Sequence, residues 1–350
     1  MKRMIAALSL AVAAATAPAQ AETYNLTMAS SHPTVLPWVG QLSTLVVGES
    51  NKRLEAMGSE DRIEWTEAYG GSLYGFKDTL EAVGDGLTDA GWVGTLWEGS
   101  KMPLQNMTYF TPFVSDDLVA TLKIMNELHR EVPALQKAWD DQNVVFLGAS
   151  GVETYHLLTN FPVNSLKDLE GRKILAPGPS ANWIMHLVAV PLNGALPTYY
   201  NQIQTGGADG MVAIVTGAFP NKHYEVAPYV TLVGIGAQMP GGLGINKDVW
   251  DGLSDDVRKV LTELGEEYTV AHAEEVMARY ETFLAKLPEA GATVTTLPAE
   301  EVATWADGLP NLAKDWSDAN ASKGAEDVLQ AYMAKVRDAG LEPRIDWTQK

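Results

Sequence analysis

Two patterns of hydrophobic and polar positions take turns along the chain. Short runs in which apolar and polar residues alternate predict strands, and longer segments with apolar residues every three or four positions predict helices. In the first part of the chain, the predicted strands are residues 24–29, 63–69 and 88–93, with helices over 38–54 and 76–83. Strands that alternate with helices indicate a parallel sheet covered by helices.

The same alternation begins again near Gly148. A helical stretch over 117–139 and an apolar strand over 144–148 close the first part. The second part has predicted strands over 154–159, 173–176, 210–215 and 229–234, and predicted helices over 180–189 and 198–205. Because the strand at 229–234 is long for one sheet, we expect it to cross from one part to the other.

One long helical pattern runs over residues 255–287, and a final helix is predicted over 323–339. Ser254 is a suitable N-cap, with two aspartates in the first turn. At about 1.5 Å per residue, the segment would span roughly 50 Å, which is longer than a domain of this size is wide. We therefore expect it to brace two domains. Two helices broken near Gly265 are the alternative.

The first residues have the pattern of a signal peptide. Lys2 and Arg3 precede the apolar run 4–17, and residues 19–21 read Ala-Gln-Ala, a cleavage signal. The run is shorter than the roughly 20 residues that span a bilayer. We predict a signal peptide over 1–21, then two α/β domains with a ligand cleft between them. Domain I comprises 22–147 plus 234–265, and domain II comprises 148–233 plus 266–350.

Composition narrows the function classes. The 44 acidic residues outnumber 25 basic ones, for a formal net charge of -19, which argues against nucleic acid and anionic membranes as partners. There is no cysteine, which excludes disulfides, thiolate metal sites and lipid attachment through an N-terminal cysteine. The predicted location is the periplasm of a bacterium with two membranes, without a lipid anchor.

The sequence offers no recognisable catalytic motif. The six histidines lie far apart and lack metal-ligand spacing, Ser72 and Ser150 lack a nucleophile elbow, and no phosphate-binding or dinucleotide-binding loop is present. We therefore predict no metal, no cofactor and no enzyme activity. The chain does contain 10 Trp, 12 Tyr and 7 Phe residues, several of them near strand ends, which favours capture of a small molecule.

Several segments resemble one family. Residues 166–178, LKDLEGRKILAPG, and residues 189–210 are similar to two signatures of the solute-binding proteins of tripartite ATP-independent periplasmic (TRAP) transporters, of the dicarboxylate-binding type. Residues 221–231 resemble that family's crossing strand, and His32-Pro33 and 71–75 also fit. The resemblance covers essentially the whole chain after the signal peptide.

This resemblance implies a periplasmic binding protein fold with hinge strands and a long helix bracing both domains. The protein would close on a small organic solute and deliver it to the small and large permease subunits in the membrane, driven by an ion gradient.

The chain departs from the family where the ligand is held. The arginine that pairs with a ligand carboxylate is replaced by Leu175, and a second basic position falls at Tyr155. Met211, Val212 and Ala213 replace the usual polar residues. A carboxylate facing these side chains would lose its hydration without an ionic partner.

Three kinds of ligand therefore stay open. A small amine or amino alcohol would bind by cation–π attraction to aromatic rings, with Glu153 or Glu67 as counter-charge. An uncharged or aromatic solute would stack on the same rings and hydrogen-bond to Asn193 and Thr95. An organic or aromatic acid would need another partner, such as Arg172 or His32. The aromatic residues at or near strand ends are Tyr74, Trp92, Trp97, Tyr155 and Trp183.

The cation is the favoured ligand at this stage. The predicted ligand-binding residues are His32, Tyr74, Trp92, Thr95, Glu153, Tyr155, Leu175, Trp183, Asn193 and Ala213. A periplasmic hydrolase or lyase on a similar body, and an adhesion module without a ligand, are the other function classes.

Overall fold

The computed structural model describes residues 21–350, so the predicted signal peptide lies outside the described residues except for Ala21. Eleven strands are described: β1 (Thr23–Ala29), β2 (Arg62–Ala68), β3 (Ala90–Val93), β4 (Val144–Val152), β5 (His156–Thr159), β6 (Lys173–Ala176), β7 (Val190–Asn193), β8 (Gly210–Ala213), β9 (Tyr229–Leu232), β10 (Gln238–Asn246) and β11 (Thr293–Thr296).

Thirteen α-helices are described between and after these strands: α1 (Pro37–Gln41), α2 (Gly48–Ala56), α3 (Thr79–Gly84), α4 (Met107–Phe110), α5 (Leu118–Glu131), α6 (Pro133–Asp140), α7 (Leu196–Gln204), α8 (Val215–Ala218), α9 (Lys247–Gly252), α10 (Asp255–Lys286), α11 (Ala299–Gly308), α12 (Leu312–Ala319) and α13 (Ala325–Asp338). A π-helical segment, Leu42–Val47, joins α1 to α2.

The strands form two sheets. The first sheet has the order β2-β1-β3-β10-β4, and the second has the order β11-β9-β5-β8-β6-β7. The α/β fold class with two sheets is therefore as predicted. The sheets are mixed and not fully parallel, since β10 runs antiparallel to β3 and β4, and β5 runs antiparallel to β8 and β9. Strands that enter from the other sheet account for these reversals.

Two chain segments and one helix connect the sheets. Residues 153–155 lead from β4 to β5, and residues 233–237 lead from β9 to β10. The helix α10 packs on β4 of the first sheet and also on α8 beside the second sheet. His156 ties the three connections together, because its Nδ1 accepts from the Val233 amide at 3.1 Å and its Nε2 lies 2.9 Å from the Tyr280 hydroxyl on α10.

The long helix α10 is unbroken from Asp255 to Lys286, so the predicted single helix is confirmed and the break near Gly265 is wrong. Ser254 caps it, accepting from the Val257 amide at 3.3 Å. Gly265 lies where the helix crosses β4. A Cβ atom there would come within 2.5 Å of the Leu147 carbonyl oxygen, so glycine permits the close approach.

Two predicted helices differ from the structure. The stretch 117–139 is two helices, α5 and α6, because Pro133 has no amide hydrogen for a continuous helix and starts the second one. The predicted helix over 180–189 is instead a pair of short 3₁₀ turns, Gly178–Trp183 and Met185–Leu187. Gly178 and Pro179 start the first turn, and Val188, at φ 58°, ends the second.

Tryptophans in the C-terminal part of the chain form hydrogen bonds with residues beside each sheet. On α12, the Trp316 indole donates to the Pro103 carbonyl at 3.0 Å, and Trp347 donates to the Pro112 carbonyl at 2.8 Å, both beside the first sheet. On α11, the Trp305 indole donates to the Trp183 carbonyl at 2.6 Å, beside the second sheet. The domain boundaries given above stay a prediction.

Candidate functional site

A cavity lies between the two sheets, and residues from both sheets line it. Its empty space, with the open mouth included, is about 530 Å³. The lining residues are His32, Trp38, Trp92, Leu96, Trp97, Val152, Tyr155, Pro177, Ala195, Leu196, Tyr199, Val212, Ala213, Ile214 and Pro240.

The wall on the side of the first sheet is a group of packed rings. His32 follows β1, and its ring meets the ring of Trp92 on β3 edge-on, with 5.1 Å between centroids. The ring of Trp97 stacks over His32 at 6.3 Å and meets Trp92 at 6.2 Å. The Trp92 indole donates to the Ser150 hydroxyl at 2.6 Å, which fixes the ring in the wall.

On the side of the second sheet, Tyr155 is held by residues behind it. Its hydroxyl pairs with that of Tyr109 at 3.1 Å. Trp183 packs edge-on against Tyr155 at 5.4 Å and stacks on Tyr109 at 5.6 Å, and its indole donates to the Tyr109 carbonyl at 2.8 Å. The cavity therefore has aromatic faces whose orientation is set before any ligand arrives.

The lining carries no full charge at neutral pH. Among the described lining residues there is no Lys, Arg, Asp or Glu. Burial lowers the pKa of His32 to about 4, so its imidazole is neutral, and its Nδ1 lies 2.9 Å from the Ser31 hydroxyl. A charged ligand group would lose hydration here without an ionic partner in the wall.

The predicted counter-charges do not face the cavity. Glu153 is fully buried, and its carboxyl accepts from the amide and from the hydroxyl of Thr216, each at 2.7 Å. Burial raises the pKa of Glu153 to about 7, although the bonds from Thr216 oppose the shift. Glu67 is exposed at the end of β2, and Arg172 lies over the ring of Phe161 at 4.2 Å, outside the lining.

The structure brings four of the ten predicted site residues to the cavity wall. His32, Trp92, Tyr155 and Ala213 line it. Two others support the wall from behind: Trp183 backs Tyr155, and the Thr95 hydroxyl donates to the Pro240 carbonyl at 3.3 Å.

Glu153 and three further predicted residues also lie outside the lining. Tyr74 packs over Gly91 on the opposite face of the first sheet from Trp92, because successive residues of a strand face opposite ways. Leu175 is fully buried in the apolar cluster that includes Met211, its partner on β8. Asn193 is exposed at the end of β7, the edge strand of the second sheet.

Several lining residues were not among the predicted site residues. Trp38 starts a helical pattern and Tyr199 lies early in one, so periodicity alone assigned both to packing faces. Leu96, Val152, Pro177, Ala195, Leu196, Ile214 and Pro240 are apolar and carry no sequence signal that separates a cavity wall from a core.

The described residues show neither a membrane-spanning helix nor a metal-binding cluster. No helix within 21–350 combines the length and apolar character needed to cross a membrane. Over the same range, no group of three or more His, Asp or Glu side chains is arranged to hold a metal ion.

The sequence matches a family model and a curated relative. The family model of DctP, the bacterial extracellular solute-binding protein family 7, matches residues 48–319. A solute-binding protein of Sulfitobacter sp. strain NAS-14.1 is 30% identical over 245 residues, which cover 67% of this chain and 69% of that protein.

Solved structures of TRAP solute-binding proteins share the fold. One from Sulfitobacter sp. NAS-14.1, with bound β-D-galacturonate, matches with a TM-score of 0.73 and 20% identity, covering 88% of this chain and 99% of its own. One from a marine metagenome, specific for aromatic acid ligands and crystallised with 3-hydroxybenzoate, matches with a TM-score of 0.77 and 19% identity, covering 91% and 99%. A Bordetella pertussis receptor binding pyroglutamic acid matches with a TM-score of 0.77 and 16% identity, covering 90% and 99%.

Proposed function

Since the chain belongs to bacterial extracellular solute-binding protein family 7, the solute-binding proteins of TRAP transporters, we propose that it captures a small organic solute in the cavity between its sheets and delivers it to the small and large permease subunits. Members of this family are transport proteins and not enzymes. Export by the signal peptide 1–21 to the periplasm completes the proposal.

Capture works by closure of two domains about the connections at 153–155 and 233–237. Residues of both sheets line the cavity, so a solute in it contacts both sides and stabilises the closed state. The helix α10 packs beside both sheets and limits how they move apart.

The solute that fits best is small, ring-bearing and uncharged. The aromatic faces of Trp92, Trp97 and Tyr155 suit a flat ring. The single observation that carries this proposal is the absence of a charged side chain among the described lining residues. The amine favoured from sequence loses its support, because neither Glu153 nor Glu67 faces the cavity and the named ligands of the solved relatives are acids.

An aromatic acid is the second candidate. The marine metagenome relative is specific for aromatic acid ligands, and His32 in the wall of this cavity is a titratable group that gains charge by protonation. An acid would therefore bind together with a proton on His32, and its affinity would rise as pH falls.

A matched series of three ligands tests the charge preference. 3-Hydroxybenzamide, 3-hydroxybenzoate and 3-hydroxybenzylamine share one ring and differ in charge at neutral pH. Thermal unfolding of the protein from residue 22 to 350 is measured with each, since a ligand at a hundredfold excess over its Kd stabilises by about 2.7 kcal/mol. The amide should raise Tm at pH 7.5, and the benzoate and the amine should not.

Each other outcome overturns the proposal in a distinct way. Stabilisation by the benzoate that grows between pH 8 and pH 5.5, and is lost in His32→Gln, establishes the acid. Stabilisation by the amine alone restores the cation. Trp97→Ala should abolish any shift that occurs in the cavity, whereas Tyr74→Ala, outside it, is the matched control and should leave the shift intact.

A further inference from the structure

Two polar atoms on the lining residues are buried and lack a hydrogen-bond partner. Among the described lining side chains, they are the Trp38 indole nitrogen and the Tyr199 hydroxyl. Two other polar groups of the wall are paired, since the Trp92 indole donates to Ser150 and the Tyr155 hydroxyl pairs with Tyr109. Trp38 is 5% exposed and Tyr199 is 1% exposed.

Buried polar groups in native proteins are normally paired, and leaving one unpaired costs stability. Other contacts fix the positions of both residues. The Trp38 carbonyl accepts from the Tyr268 hydroxyl at 2.8 Å, and the ring of Tyr199 fits against Gly194, where a Cβ would come within 2.8 Å of it. These two polar atoms therefore remain unpaired in a wall whose other parts are well ordered.

The two residues come from opposite sides of the cavity, and their unpaired polar groups differ in chemistry. Trp38 lies on α1, beside the first sheet, and its indole N–H can only donate. Tyr199 lies on α7, beside the second sheet, and its hydroxyl donates or accepts. Burial raises the pKa of Tyr199 well above its ordinary value, so the hydroxyl keeps its proton.

We propose that the Trp38 indole N–H and the Tyr199 hydroxyl determine the specificity of this cavity, and that its solute carries two uncharged polar groups on opposite sides of an apolar ring. One group is an acceptor oxygen or nitrogen for Trp38. The other meets the Tyr199 hydroxyl. This inference rests on the proposed function, because it names the polar groups of the solute that the function requires.

A solute with both groups would connect the two sides of the cleft through hydrogen bonds. A solute that lacks one of them would leave a buried group unpaired in the closed state, which is a strong basis for discrimination. The proposal thus explains how an apolar cavity selects among ring compounds of similar size.

The test combines three probes with two variants. 3-Hydroxybenzamide carries both polar groups, benzamide lacks the hydroxyl, and 3-methylphenol lacks the amide. Binding is followed by tryptophan fluorescence, because Trp38, Trp92 and Trp97 line the cavity. The wild-type protein should bind 3-hydroxybenzamide about tenfold or more tightly than either truncated probe.

Tyr199→Phe removes only the hydroxyl. It should reduce the preference for one of the two polar groups to about onefold and leave the other preference unchanged. Replacing Trp38 by its benzothiophene analogue, which lacks the N–H, should remove the other preference. Tyr74→Phe is the control, because its buried hydroxyl also lacks a partner but Tyr74 lies outside the cavity, and it should retain both preferences.

Stability measurements separate a specificity role from a structural one. Because its hydroxyl has no partner, Tyr199→Phe should unfold at the same or a higher urea concentration than the wild type. If the wild type binds 3-hydroxybenzamide but both variants keep both preferences, the inference is wrong and the proposed function stands. If the wild type binds none of the three neutral probes, the proposed function itself fails.

Discussion

Two explanations of Gly265 predict opposite changes in the free energy of unfolding when this glycine is replaced by alanine. If Gly265 were only a weak point in α10, alanine would stabilise the helix by about 1 kcal/mol. In the structure, the added Cβ would lie 2.5 Å from the Leu147 carbonyl oxygen, short of the 3.4 Å of an ordinary contact by 0.9 Å.

The contact is with the backbone of β4, so no side-chain rotation can relieve it. The helix and β4 must separate, and overpacking of this kind costs about 2–3 kcal/mol. After subtraction of the gain in helix propensity, we expect Gly265→Ala to lower the free energy of unfolding by about 1–2 kcal/mol. Urea unfolding followed by circular dichroism and by tryptophan fluorescence measures this loss.

Gly252→Ala is the matched control, because nothing lies within 4 Å of a Cβ added there. It should leave the free energy of unfolding unchanged or raise it by up to about 1 kcal/mol, because Gly252 lies in α9 and no contact opposes the gain in helix propensity. A Gly265→Ala protein as stable as the wild type, or more stable, would refute the close-contact explanation for this glycine.

Three further predictions concern buried groups. Leu175→Arg should lower the free energy of unfolding by at least about 3 kcal/mol, because it buries a charge in an apolar cluster. The control, Leu175→Met, should cost less than about 1.5 kcal/mol. A stable Leu175→Arg protein that gains affinity for succinate would contradict the prediction. Because the pKa of Glu153 is raised to about 7, its contribution to stability is fully present below pH 4.5 and is lost as pH rises through 7. The free energy of unfolding of Glu153→Gln, relative to the wild type, should therefore increase by up to about 3 kcal/mol between pH 4.5 and 8. A difference in urea unfolding that stays constant across that range would contradict this. Burial lowers the pKa of several histidines to about 4, so the native state should lose stability as pH falls from 6.5 through 4, an effect that replacing one of them by Gln should reduce in thermal unfolding. These histidines are His32, His129, His156, His223 and His272.

The sequence patterns predicted the fold better than the site. The alternation of strands and helices indicated an α/β fold but missed β7, β10 and β11. The spacing after Ser254 predicted α10 in full, because periodicity reports which face is buried. Trp38 and Tyr199 were not predicted for the same reason. A residue that faces a ligand cavity and a residue that faces the core follow the same period, and only three-dimensional packing shows that a polar atom on such a residue has no partner.

Leu175 shows a different limit. The resemblance to the family implies a ligand-binding arginine at this position. With leucine there, the side chain is buried beside Met211 on the neighbouring strand. The sequence predicted that a basic partner is missing at Leu175, but it could not indicate that the described cavity lining has no other charged side chain.

The position of β10 between β3 and β4 sets the order in which the chain can complete its structure. Both neighbours are synthesised long before residue 238, and neither pairs with the other in the sheet. Until β10 emerges, each presents an open edge, and contacts that are so distant in sequence form slowly. The second sheet waits longer still, for β11 at residues 293–296. A nascent chain of this topology therefore stays incompletely folded until most of it has been made.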